Sequence, residues 1–103
     1  MNTTTDAPAI NRFRPKSITK PVNFYCDAPT AASVVLVGDF NDWDAASHPM
    51  QQRVDGGWFL QVQLTHGHHL YLFLVDGKPV LDPRGMGFAR NEQNERVSLI
   101  AVS

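Results

Sequence analysis

A chain of 103 residues, 43% of them hydrophobic, supplies one hydrophobic core and is too short for two of ordinary size. The formal net charge is −1, and the basic residues are scattered apart from a weak cluster at Arg12, Arg14, Lys16 and Lys20, so nucleic acid is not an expected partner. No apolar run approaches the roughly 20 residues that cross a bilayer, and the opening MNTTTDAPAINRFRPK lacks the apolar stretch of a signal peptide; no membrane partner is expected, and a cytoplasmic location is the default expectation.

Residues 1–20 mix Thr, Asn, Asp, Pro and Arg without a lasting period and read as a flexible N-terminal arm, with Phe13 and Ile18 as its candidate anchors. A sandwich domain is expected over 21–103. After Pro21, Val22, Phe24 and Cys26 alternate with Asn23, Tyr25 and Asp27, which predicts a strand with one apolar face. Cys26 has no second cysteine to pair with and is expected as a buried thiol. Ala32–Val37 is apolar on both sides, as in a strand near the centre of a sheet.

The clearest strand is Gly57–Thr65, where Trp58, Leu60, Val62 and Leu64 share a face expected in the core. Thr65-His66-Gly67-His68 is expected to turn the chain. The next strand, His69–Val75, places Tyr71, Phe73 and Val75 opposite Leu70, Leu72 and Leu74. Asp76-Gly77 suits a two-residue hairpin, because glycine accepts a positive φ at little cost. Pro79–Leu81 reads as a short return strand, Asp82-Pro83-Arg84-Gly85 as a turn, and Met86–Glu95 as a loop. Arg96–Val102 alternates Val97, Leu99 and Ala101 with Ser98, Ile100 and Val102 and closes the sheet. No stretch carries the caps and 3.6-residue period of a long helix, so the expected fold is an all-β antiparallel sandwich.

Within this frame the segment Val34–Trp43, VVLVGDFNDW, runs an apolar strand into a polar turn that ends in tryptophan. A sugar ring presents apolar C–H groups on its faces and hydroxyls around its rim, so it is held by a flat aromatic surface flanked by hydrogen-bonding groups. Trp43 supplies the surface if the turn leaves its ring exposed, with Asn41, Asp42 and Asp39 beside it. The same ring can instead fold back to cap the sandwich, and spacing alone does not choose between the two. Asn94 and Gln93, in the last polar loop, either reach the same groove or serve as turn groups.

Catalytic readings fall short of the chemistry they need. His66, His68 and His69 lack an adjacent acid or cysteine that completes a ligand set, so no metal is expected. The aspartates show neither the controlled spacing nor the raised pKa of a hydrolytic pair. Cys26 has no positioned activating partner, and Gly38 and Gly56-Gly57 do not form a phosphate cradle. No cofactor is expected, and the chain reads as a binding module rather than an enzyme.

The joint pattern GDFNDW at Gly38–Trp43, GHHLYLFLVDG at Gly67–Gly77 and Asp82-Pro83 resembles the family 48 carbohydrate-binding modules. That family includes the glycogen-binding domain of AMP-activated protein kinase beta subunits and the N-terminal domains of branching and debranching enzymes. The similarity covers about Val22–Val102. It implies an immunoglobulin-like early set β-sandwich with affinity for α-1,4-linked glucan, glycogen or starch-like. In glycogen-binding members the tryptophan that ends the first motif stacks on glucose, which is the position of Trp43, and an asparagine just before the last strand contacts the same ligand, which matches Asn94.

Two departures bear on affinity. Leu72 stands where binding members carry lysine, and Pro79 stands where they carry a second stacking tryptophan. Losing one aromatic anchor costs about 1 to 3 kcal/mol, tenfold or more in affinity. The reading is therefore a non-catalytic module with weak binding of α-glucan or malto-oligosaccharide, working with a glucan-metabolising enzyme. The rival reading is a protein-interaction or regulatory sandwich, in which Leu70, Leu72 and Leu74 form an apolar contact strip for a partner or a homodimer.

Overall fold

Along Gly57–Thr65 every second side chain turns inward: Trp58 and Leu64 are buried and Leu60 and Val62 pack against the core, while Gln61 and Gln63 meet solvent. This period-two division is what a sheet with one dry face imposes on its sequence. A computed structural model describes residues 18–103, and in it the strand is the fourth of eight. The order is β1 (Thr19–Asp27), β2 (Val34–Gly38), β3 (Gln51–Gln52), β4 (Gly57–Thr65), β5 (Gly67–Val75), β6 (Lys78–Val80), β7 (Gly87–Arg90) and β8 (Arg96–Val102).

The strands form two antiparallel sheets, ordered β1-β4-β3 and β2-β5-β8-β7, with β6 paired to the far half of β5. The expected immunoglobulin-like early set β-sandwich is the fold. Phe24 from one sheet meets Tyr71 from the other edge-to-face at 5.0 Å between ring centroids, and Tyr71 meets Phe73 at 6.0 Å. Leu36, Val34, Met50 and Val102 fill the space around these rings. Cys26 lies in the same core as a free thiol, and burial, with Asp82 and Asp27 adding to it, pushes the thiol up from its ordinary value.

One polar network is built into the interior. Ser98 faces inward from β8 and its hydroxyl accepts the Asp82 N–H at 2.8 Å, while the Tyr71 hydroxyl donates to the Asp82 carboxylate at 2.6 Å. The Arg84 N–H binds the other carboxylate oxygen at 2.9 Å. Asp82 is thus buried but satisfied, as a buried charge must be. Burial first, and then Asp82, raise the Tyr71 hydroxyl far above the ordinary tyrosine value.

Several expected boundaries move. Thr19 and Lys20, assigned to the arm, are the first residues of β1 and pair with Thr65 and Leu64. Ile18 is 78% exposed at the start of that edge strand, outside the core of the described residues, while Phe13 lies outside the described residues. The turn expected over Thr65–His68 is shorter, because β4 and β5 belong to different sheets and Gly67, at φ 122°, already starts β5. Asp76-Gly77 turns as expected, with φ of 51° and 83°, and the Asp76 carboxylate also accepts the N–H groups of Ala32 and Ser33. The return strand is Lys78–Val80 rather than Pro79–Leu81.

The largest correction is at Met86–Glu95, expected as a loop, where β7 pairs with β8 from Gly87↔Leu99 to Arg90↔Arg96. Four residues are too few to show a period. The hairpin is held by its turn, in which the Asn91 side-chain oxygen accepts the N–H groups of Gln93 and Glu95, each at 2.9 Å.

Candidate functional site

At Gly38 the last strand residue of β2 becomes the first residue of the GDFNDW turn. A Cβ there would stand 2.7 Å from the Leu70 carbonyl and run into the Phe40 ring, so the position demands glycine. The Gly38 carbonyl accepts the N–H groups of Asn41 at 3.1 Å and Trp43 at 2.9 Å. Asp39 staples the turn to β5 in both directions: its N–H donates to the Leu70 carbonyl at 3.0 Å and its carboxylate accepts the Leu70 N–H at 3.1 Å. The other Asp39 oxygen lies 3.5 Å from His69 Nδ1, and His69 Nε2 is 2.8 Å from the Thr65 carbonyl. Phe40 turns inward between His48 and His69 and packs on the core.

Asp42 and Trp43 complete the turn at φ of 56° and 57°. Left-handed backbone costs a non-glycine residue about 1–2 kcal/mol, so two in succession need the surrounding bonds to hold them. The effect is to swing the Trp43 indole away from the core, where it stays half-buried. Its ring forms one wall of a cavity of about 590 Å³, with Asp39, Asp42 and Leu70 beside it. The opposite wall is the tip of the β7–β8 hairpin, from Arg90 to Gln93.

Of the three expected sugar contacts, only Trp43 lines this cavity. Asn41 spends its whole amide inside the turn: the oxygen accepts the Gly38 N–H, and the nitrogen donates to the Leu36 carbonyl and to His48 Nδ1. Asn94 sits at the exposed end of the hairpin turn with φ of 63°, and its carbonyl accepts from Arg90 Nη1 at 2.9 Å. The polar groups that do face Trp43 across the cavity are Arg90, Asn91, Glu92 and Gln93. Gln93 alone among these is a candidate from the sequence; the others reach the cavity through the β7–β8 hairpin, which four strand residues do not reveal.

Leu70, Leu72 and Leu74 are half-buried on the outer face of β5, opposite the buried Tyr71 and Phe73. Leu70 reaches the cavity. Leu72 pairs with Val37 and Leu74 with Val35 and Pro79, so beyond the cavity the sheet presents an apolar strip. His66 and His68 are exposed at the β4–β5 corner. A second cavity, about 360 Å³, opens at another edge, where Phe73, Val80, Leu81 and Phe88 make a mainly apolar lining with Asp27 and Arg84 among its residues.

The site is thus a tryptophan wall facing polar side chains, raised on a GDFNDW turn of a β-sandwich. The family described as carbohydrate-binding module 48 (isoamylase N-terminal domain) matches residues 13–99. The chain belongs to this family. Among similar proteins, the 1,4-alpha-glucan branching enzyme of Synechococcus sp. (strain CC9605) is 39% identical over 83 residues, 78% of this chain and 11% of that enzyme. The branching enzyme of Lactobacillus acidophilus is 47% identical over 64 residues, 59% of this chain and 10% of its own length. A branching enzyme of Xanthomonas oryzae is 41% identical over 63 residues. The module thus spans about a tenth of the length of the curated relatives it matches.

Proposed function

We propose that this module binds α-1,4-linked glucan in the cavity between Trp43 and the β7–β8 hairpin and performs no reaction on it. The observation that carries the reading is the half-buried Trp43 ring, held out of the core by a pinned turn and faced by polar side chains at the distance of one cavity. An apolar sugar face stacks on the indole, and Asp42, Arg90, Glu92 and Gln93 meet the hydroxyl rim. The relatives' names point to the same polymer, since each is a 1,4-alpha-glucan branching enzyme.

The make-up of the cavity supports tethering rather than cleavage. Asp39 is occupied by the Leu70 N–H and His69, and Asp42 and Glu92 stand in solvent rather than in the apolar setting that turns a carboxyl into a general acid. Binding is weak, because the strip that leads away from Trp43 offers Leu72 and Pro79, neither a hydroxyl donor nor a stacking ring. The sandwich from β1 to β8, residues 19–102, acts as the binding unit, and the module serves a glucan-metabolising enzyme by holding its substrate.

The apolar strip Val35, Leu72, Leu74 and Pro79 favours a second use, as a contact for that enzyme or for another copy of the chain. Titration with maltoheptaose and sedimentation with glycogen test the main reading. Binding that Trp43→Ala removes while the fold survives supports it; no binding at millimolar oligosaccharide, or binding that Trp43→Ala leaves unchanged, rejects this site.

A further inference from the structure

One hydrogen bond in the Trp43 turn has its direction fixed by its neighbours. The Asn41 side-chain oxygen faces the Gly38 N–H at 3.0 Å, and its nitrogen faces the Leu36 carbonyl at 3.1 Å. Turning the amide over would set N–H against N–H and oxygen against oxygen, so the two backbone groups decide its orientation. The second amide hydrogen then points at His48 Nδ1, 2.8 Å away. A donor on Asn41 requires a lone pair on Nδ1, which only the neutral imidazole with its proton on Nε2 provides. A protonated His48 would present N–H to N–H.

We propose that His48 is a positioning residue for the Trp43 platform and that acid releases it. Neutral His48 holds Asn41, Asn41 holds Gly38 and Leu36, and these bonds keep Asp42 and Trp43 in their left-handed backbone. His48 is well placed for this, because its carbonyl accepts the Leu36 N–H at 3.0 Å and Met50 N–H donates to Val34 at 2.9 Å, locking the segment along the free edge of β2. Protonation removes the outermost tie and leaves the strained turn free to relax.

Among the described residues, the groups that face His48 do not supply an alternative tie. Asp44, exposed next to Trp43, is already engaged, its oxygens accepting the Ala46 N–H at 2.9 Å and the Ser47 hydroxyl at 2.8 Å. Phe40 presents its ring edge-to-face at 6.0 Å, and β2 presents apolar side chains and backbone. On the far side of Phe40, His69 faces two acceptors, Asp39 and the Thr65 carbonyl, so a proton there tightens its contacts instead of breaking them.

The effect on sugar affinity rests on the glucan reading, whereas the effect on Trp43 does not. The test records the indole N–H resonances of the full chain from pH 7.5 to 5.5, with Trp58 as internal control because its indole donates to the Ala28 carbonyl inside the core. The Trp43 resonance is expected to move with the titration of the His48 ring while Trp58 stays still, and maltoheptaose affinity is expected to fall about five- to tenfold over the same range, the scale of one lost hydrogen bond. His48→Gln carries a carbonyl that can accept from Asn41 without titrating, and it removes both pH dependences. The wild-type ring nitrogens, which report the Nε2–H tautomer directly at pH 7.5, keep the test independent of how that variant folds. A Trp43 signal indifferent to pH, a protonated Nδ1 at pH 7.5, or a pH dependence that persists in His48→Gln overturns the proposal. Absence of glucan binding at every pH overturns the glucan reading alone, and the Trp43 resonance still decides the role of His48.

Discussion

Trp58 and Trp43 put the same side chain to opposite uses. Trp58 sits in a nine-residue strand whose alternation sends it inward, where it is 7% exposed and its indole N–H is satisfied by the Ala28 carbonyl at 2.9 Å. Trp43 follows a strand that has already ended, on two left-handed residues that turn the ring away from the core and against a cavity. Strand period buries an aromatic residue by default. Exposing one takes a turn held by other bonds, and here those bonds come from Gly38, Asp39 and Asn41.

Truncation separates the two rings most sharply. Trp58→Ala should cost about 3–5 kcal/mol, the range for emptying a buried aromatic site, and thermal or urea unfolding reads it. Trp43→Ala should cost about 1 kcal/mol or less in the same measurement while abolishing glucan binding. Equal losses of stability from the two would break the comparison.

The turn itself is the next target. Gly38→Ala places a methyl group against the Leu70 carbonyl and the Phe40 ring, and a loss of about 1–3 kcal/mol is expected, as for overpacking elsewhere, together with weaker sugar binding. Denaturant melts and maltoheptaose titration of this variant report the two effects. A fully stable Gly38→Ala would show that the close approach to β5 is not what fixes the turn.

The core side of the comparison has a pH signature. The Tyr71 hydroxyl titrates near pH 10 in the unfolded chain and much higher in the folded one, where burial and Asp82 hold its proton. Its contribution to stability is therefore whole below about pH 10 and is lost as the pH rises beyond that toward the folded value. Tyr71→Phe should lower stability at pH 7 by about 1–3 kcal/mol, because Asp82 loses a donor while buried, and should flatten the alkaline decline. Unfolding followed from pH 7 to 11 in both proteins measures this.

These contrasts also explain how far the sequence could be read. β4 was legible to the residue, and the Asp76-Gly77 hairpin was legible from its turn chemistry, since each is encoded within a few neighbours. β7 was not, because its four residues become a strand only through pairing with β8. That omission hid Arg90, Asn91 and Glu92 from the candidate site. Asn41 misled for a related reason: an amide beside an aromatic residue looks the same in sequence whether it faces a ligand or ties its own turn, and only the positions of Gly38, Leu36 and His48 tell the two apart.

The smallest effect is expected on the apolar strip. Leu72→Lys changes a half-buried residue beyond the cavity, so stability should shift by about 1 kcal/mol or less. Glucan affinity should rise by about two- to fivefold as a hydroxyl-directed donor is gained, and any self-association through the strip should weaken, because the ammonium is poorly solvated in a dry contact. Light scattering and sugar titration follow both changes. Unaltered association would remove the strip as a contact surface.

The most direct test of the account is to follow both indole resonances while maltoheptaose is added at pH 7.5. Saturable movement of the Trp43 signal, with Trp58 unmoved, is the predicted result. Movement of neither, or of Trp58 without Trp43, would contradict a glucan site built on the Trp43 turn.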